Sequence, residues 1–137
     1  MSRTTFVNLP VKDLAATVAF WTGLGFEFNP AFTDDRAACM VISDEAYVML
    51  LVEDFYRTFT TKDVVDADTG NEVILCLSTD SRAEVDDLVR KALAGGGKPS
   101  NDPLRDGPMY GWSFQDVDGH LWELMYMDPT AYAEQPD

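Results

Sequence analysis

Histidine, cysteine and positive charge are scarce in this 137-residue chain, which holds one His, two Cys and ten Lys plus Arg against 24 Asp plus Glu. The resulting net charge of −14 argues against nucleic acid or anionic lipid as a partner, because both are polyanions that attract Lys and Arg. It reads first as a solvated acidic shell, and it would draw in a cationic ligand wherever part of it lines a cleft. The single histidine, His120, directly follows the Asp118-Gly119 turn. A histidine so placed is usually solvated or steadies the turn, and no Ser-His-Asp or Cys-His constellation surrounds it. Cys39 and Cys76 lie in apolar, strand-like stretches and read as small buried hydrophobes, not as a disulfide or redox pair. No apolar run approaches the ~20 residues that span a bilayer. The opening MSRTTFVNLPVKD also lacks the apolar core of a secretory leader. A cytoplasmic protein without a membrane partner is the expectation.

What the chain does have is a globular composition, 46% hydrophobic and 12% aromatic, in a length that suits one domain spanning residues 1–137. Within it, two similar modules are legible, at about residues 5–53 and 71–128. In the first, Phe6 to Val11 is a short extended run whose Pro10 argues for a sheet edge. Asp13 stands as an N-cap, and Leu14, Val18 and Trp21 recur at helical spacing, predicting a face that packs on a sheet. Gly23 and Gly25 stop this helix, and strands are expected at Phe26–Phe28, Ala37–Ile42 and Tyr47–Val52, the last two joined by Ser43-Asp44-Glu45. In the second, Val73 to Leu77 is nearly continuously apolar, as a central strand would be. Ser81 and Glu84 form a capping box ahead of the stripe Val85, Leu88, Val89, Ala92 and Leu93. Gly95-Gly96-Gly97 follows that helix and is therefore a stop signal, since a phosphate-binding loop would precede one. Residues 98–108 are loop-rich, and Met109–Phe114 and Leu121–Met127 read as a hairpin about Asp116-Val117-Asp118-Gly119. The helix caps Asp13 and Ser81 lie 68 positions apart and the closing strands, at Met49 and Glu123, 74 apart. A duplicated βαβββ unit is the simplest account. The linker, residues 54–70, is too long and aromatic for a tight turn and reads as either a packed cover or a mobile flap.

Val11-Lys12-Asp13-Leu14, Gly23-Leu24-Gly25-Phe26 and the run Asp116 to Leu124, Asp-Val-Asp-Gly-His-Leu-Trp-Glu-Leu, resemble the vicinal oxygen chelate superfamily of glyoxalase, bleomycin-resistance and extradiol dioxygenase proteins. The likeness runs from about Phe6 to Pro129 and is nearest to the lactoylglutathione-lyase-related branch. It implies an α+β fold of two tandem βαβββ modules forming a curved mixed sheet around a concave cavity, and a homodimer. It says less about reaction, because the superfamily hosts lyases, dioxygenases and drug-binding proteins on one scaffold.

In enzymes of this family each module supplies metal ligands from its first and last strands. The matching positions here are Phe6, Met49, Ile74 and Glu123, of which only Glu123 is a hard donor. A shift of two residues would substitute Asn8 and Glu72 on the same strand faces, a set still without histidine. No metal and no other cofactor is therefore expected; a divalent ion at Glu123 is the alternative. The residues expected to bind a small molecule are Phe6, Asn8, Met49, Ile74, Tyr110, Trp112 and Phe114, with Tyr110 as a polar contact at the cavity mouth. The methionines Met40, Met49, Met109, Met125 and Met127 would add a soft lining. Glu123, placed inward by the resemblance, is the expected catalytic or ligand-pairing carboxylate. The leading expectation is a metal-free protein that binds an aromatic or cationic small molecule. The alternatives are a metal-dependent lyase of glyoxalase I type or an oxidoreductase of extradiol-dioxygenase type, and a metal-independent isomerase or lyase using Glu123 as base.

Overall fold

A computed structural model of the chain describes residues 3–130; residues 1–2 and 131–137, the ends of the expected 1–137 domain, lie outside the described residues. The described fold is α+β, with contacts that separate into two units dividing between Asp66 and Ala67. The first unit runs β1 (Thr5–Val11), α1 (Leu14–Gly23), β2 (Glu27–Phe28), β3 (Ala37–Ser43), β4 (Ala46–Val52) and α2 (Glu53–Tyr56). The second runs β5 (Ile74–Ser78), α3 (Arg82–Ala94), β6 (Lys98–Pro99), β7 (Leu104–Asp106), β8 (Met109–Gln115) and β9 (Leu121–Met127). The first sheet has the order β1-β4-β3-β2 and the second β5-β9-β8-β6, with β7 also paired to β8. In both, the first strand pairs in parallel with the last and the rest are antiparallel. Both units thus share a βαβββ order, with β7 as an additional strand in the second.

Local chemistry sets the helix ends. The Asp13 carboxylate accepts the Ala16 amide at 3.1 Å, filling one of the donors that a helix start leaves open. The buried side of α1 is Thr17, Phe20 and Trp21, not the expected stripe of Leu14, Val18 and Trp21. Thr17 can lie inside because its hydroxyl donates to the Asp13 carbonyl at 3.0 Å, which removes the cost of burying it. In α3 the Ser81 hydroxyl accepts the Glu84 amide at 3.0 Å. The Glu84 carboxylate reaches back to the Asp80 amide at 2.8 Å, one residue beyond the expected box. Val85, Val89 and Ala92 are buried against the second sheet.

Three expectations change. The β5 strand, read as central, lies at the edge of its sheet; Leu75 and Leu77 are half-buried while Ile74, Cys76 and Ser78 are exposed, so its apolar run has one open face. Cys76 is accordingly exposed, whereas Cys39 is buried as expected. The loop-rich stretch 98–108 contributes two short strands, β6 and β7, that flank β8.

The linker is packed at both ends. At its start α2 rests on β1 and β4, and Phe55 lies between the Arg36 guanidinium at 4.4 Å and the Phe59 ring at 5.1 Å. At its end Asp68 abuts Gly119, whose φ is +88°. A methyl group at Gly119 would meet the Asp68 side chain and the Ala67–Asp68 backbone, in a conformation that side chains disfavour. Gly119→Ala is expected to lower stability by about 1–3 kcal/mol, read as a lower midpoint in urea unfolding at unchanged slope.

Candidate functional site

The β8–β9 hairpin determines where Glu123 can act. Its register sets Ser113 opposite Glu123, Gly111 opposite Met125, and Trp112 opposite Leu124. Because side chains alternate along a strand, Gly111, Ser113, Glu123 and Met125 share one sheet face. Cys76 of β5 pairs with Glu123 in the parallel ladder and extends that row. The other face carries Phe114 and Trp122, both essentially fully buried, on the side covered by α3.

On the Glu123 face lies a pocket of about 270 Å³. Gly111, Ser113, Glu123 and Met125 form its floor, Trp112 and Leu124 border it, and Asn101, Asp102 and Leu104 form its wall. The wall is held by Ser113, whose hydroxyl accepts the Asn101 amide at 2.9 Å. Two carboxylates, Glu123 and Asp102, therefore meet a surface that is otherwise largely apolar. Such a site suits a cation carried on an apolar or aromatic body. Desolvation, with the Glu123 charge adding to it, raises the Cys76 thiol above its ordinary pKa. It stays protonated at neutral pH and is a weak nucleophile.

The expected site residues separate. Glu123, Trp112 and Met125 reach the pocket. Tyr110 does not stand at a cavity mouth: it is 4% exposed, and its hydroxyl donates to Asp86 of α3 at 2.5 Å. Phe114, 1% exposed, is core. Both lie on the helix side because their parity along β8 is opposite to that of Ser113, the partner of Glu123. Met40 is likewise core. Ile74 is 50% exposed and belongs to the open face of β5 without lining the pocket.

In the first unit, Asn8 pairs with Met49 and Phe6 with Tyr47. Phe6 is 51% exposed and stacks on Tyr47 with ring centroids 5.2 Å apart and planes at 17°. The positions that bear metal ligands in family enzymes are thus an aromatic ring in a stack, a thioether, an aliphatic chain and one carboxylate. This donor set does not fit a catalytic metal, which needs several N or O ligands. The shifted set fares no better, since Glu72 precedes β5 and is exposed. Among the described residues, no three His, Cys, Asp or Glu side chains cluster closely enough to hold an ion.

His120 is not a solvated turn residue. It is 8% exposed and belongs to a buried hub around Asp116, whose carboxylate accepts the amides of Asp118 at 2.9 Å and His120 at 3.0 Å and the Trp122 indole N–H at 2.9 Å. Burial pushes the Asp116 pKa above the ordinary carboxylate value, while His120 and the indole and amide donors pull it back. The hub fixes the turn that carries β9, and hence Glu123, past β8. Asp116, Asn101, Asp102 and Leu104 were not among the expected site residues.

Residues 3–43 match a family described as bleomycin resistance protein-like N-terminal. Among solved structures, a hypothetical protein from S. aureus is 27% identical with a TM-score of 0.77, the match covering 92% of this chain and 95% of that one. A glyoxalase/bleomycin resistance protein/dioxygenase family enzyme from Burkholderia phytofirmans PsJN is 17% identical with a TM-score of 0.75, covering 92% and 99%. A genomically encoded fosfomycin resistance protein from Listeria monocytogenes is 20% identical with a TM-score of 0.64, covering 92% and 91%. No curated protein matches the sequence at a significant level.

Proposed function

We propose that the chain is a member of the vicinal oxygen chelate superfamily, which its fold and the match over residues 3–43 support, and that it is a metal-free binding protein for a small aromatic or cationic molecule. The observation that carries this reading is the pocket over Glu123, in which a carboxylate floor is framed by Leu104, Leu124 and Met125. The donor set at the family's metal positions supports it from the other side: Phe6, Met49 and Ile74 cannot chelate a hard divalent metal where enzymes of the family do. Within the superfamily, the motifs draw the chain towards the lactoylglutathione-lyase-related branch.

The size of the pocket restricts the ligand. At about 270 Å³ it falls just under the ~300–1,000 Å³ usual for drug-sized molecules. It takes one ring with its charged group, or one such end of a larger molecule. Titration calorimetry tests this with two probes, tryptamine as a single-ring-system cation and a basic bleomycin-type glycopeptide. Saturable binding that weakens as salt rises is expected for at least one of them, since partly exposed charges are screened. Absence of heat with both would sink the proposal.

The same premise makes a homodimer in the cytoplasm the expected form. Half-exposed Phe6 and Ile74 are apolar surface of the kind a second copy would cover. Light scattering should return twice the chain mass; a monomer at micromolar concentration would refute the dimer.

A further inference from the structure

The chain's few cations are unevenly used. Lys12, Arg36, Arg57 and Lys91 each form an ion pair with a carboxylate. The other six, Arg3, Lys62, Arg82, Arg90, Lys98 and Arg105, form none among the described residues, although acidic side chains outnumber basic ones by more than two to one. Of these, Arg82, Arg90 and Arg105 are grouped around Tyr110 and its partner Asp86. Arg82 and Arg90 lie one turn before and one turn after Asp86 on α3, so all three share a helix stripe. Arg105, on β7, pairs with Tyr110. The guanidinium of Arg82 is 5.6 Å and that of Arg105 5.3 Å from the centre of the Tyr110 ring. Arg90 lies one helical turn beyond Asp86, whose carboxylate accepts the Tyr110 hydroxyl.

Asp86, the carboxylate on that stripe, accepts the Tyr110 hydroxyl and offsets only one of the three guanidinium charges, leaving a local positive excess. The buried ring and its hydrogen bond form a rigid base beneath exposed guanidiniums. Each guanidinium offers a planar fork of N–H donors that matches the oxygens of a phosphate. A chain with net charge −14 repels anions overall, so a local cluster of three unpaired arginines runs against the general field.

We propose that Arg82, Arg90 and Arg105 form a binding site for a phosphate-type dianion, either inorganic phosphate or a phosphate monoester. The site lies on the helix side of β8, while the Glu123 pocket lies on the opposite face, so the two can succeed or fail separately.

Thermal unfolding with inorganic phosphate, and separately with phenyl phosphate, tests it against chloride at matched ionic strength. The wild-type midpoint should rise by a few degrees and saturate, and Arg82→Gln/Arg105→Gln should abolish the saturable part. A rise that never saturates and persists in the variant is the general stabilisation by excluded salts and overturns the proposal, as does no rise with either probe. A larger rise with phenyl phosphate than with phosphate assigns the site to an ester, and equal rises to the free ion. Should the double variant not fold, arginine side-chain Nε–Hε NMR of the wild type decides: saturable phosphate-induced shifts confined to Arg82, Arg90 and Arg105 support the site, and their absence refutes it.

Discussion

Replacing Asp116 with alanine is expected to lower stability by about 3 kcal/mol or more at neutral pH. Three donors rely on this carboxylate, the amides of Asp118 and His120 and the Trp122 indole. All sit in a turn where Asp116, Asp118 and His120 are buried and Trp122 is wholly enclosed. Leaving a buried donor unpaired costs about 1–3 kcal/mol, and water can replace only part of that loss. Asp116→Asn separates charge from hydrogen bonding, since an amide oxygen can still accept from the turn but its NH2 meets the indole N–H as a second donor. The same pair reads out the pH dependence. Burial raises the native Asp116 pKa, so between the ordinary value and that raised one the native state holds a proton the unfolded chain lacks. By linkage its stabilising contribution is fully present below the ordinary carboxylate pKa and is lost as pH rises through the raised one. The wild type should therefore gain stability relative to Asp116→Asn as pH falls from 7 towards 4. A difference that is flat across this window, measured by urea unfolding, would contradict the raised pKa.

The same hub shows which parts of the molecule were legible in the amino-acid sequence. Helix starts were, because Asp13 and Ser81 act on amides three residues away, and such local chemistry survives in a linear string. The repeat of modules was legible from the spacing of these caps. Asp116 was read only as a turn residue, although a carboxylate that accepts amides two and four residues onward is what an Asp-x-Asp-Gly-His turn can do. Face assignment failed at Tyr110 and Phe114 for a reason of parity. The turn joins Gln115 to Leu121, so the partner of Glu123 must be Ser113, and odd-numbered residues of β8 share its face. Tyr110 and Phe114 are even, and counting back from the turn would have moved them to the helix side; Trp112, also even, still borders the pocket. The pocket wall was beyond such counting: Asn101, Asp102 and Leu104 come from a stretch rich in Pro, Asn, Asp and Gly, and β7 exists only because β8 is there to pair with. The parallel pairing of β1 with β4 is likewise a non-local fact, set by packing and not by any local signal.

Glu123→Gln should weaken binding of a cationic pocket ligand by roughly 10–100-fold, the effect of losing a hydrogen bond to a charged group worth about 1.5–3 kcal/mol. The substitution keeps side-chain volume and strand register, so unfolding stability should change little. Affinity for an uncharged ring of the same shape should also be nearly unaltered, because Leu104, Leu124 and Met125 supply that part of the contact. The ratio of the two losses is thus the informative quantity: a selective loss for the cation places the charge over Glu123, and an equal loss for both shows a distorted pocket. Residual salt dependence in the variant should remain, carried by Asp102 on the wall. The same variant distinguishes binding from proton transfer. If Glu123 moves a proton in a metal-independent isomerase or lyase, turnover disappears while ligand affinity falls no more than for the neutral analogue. A simple binding protein shows the reverse, a lost cation preference and no turnover in either form.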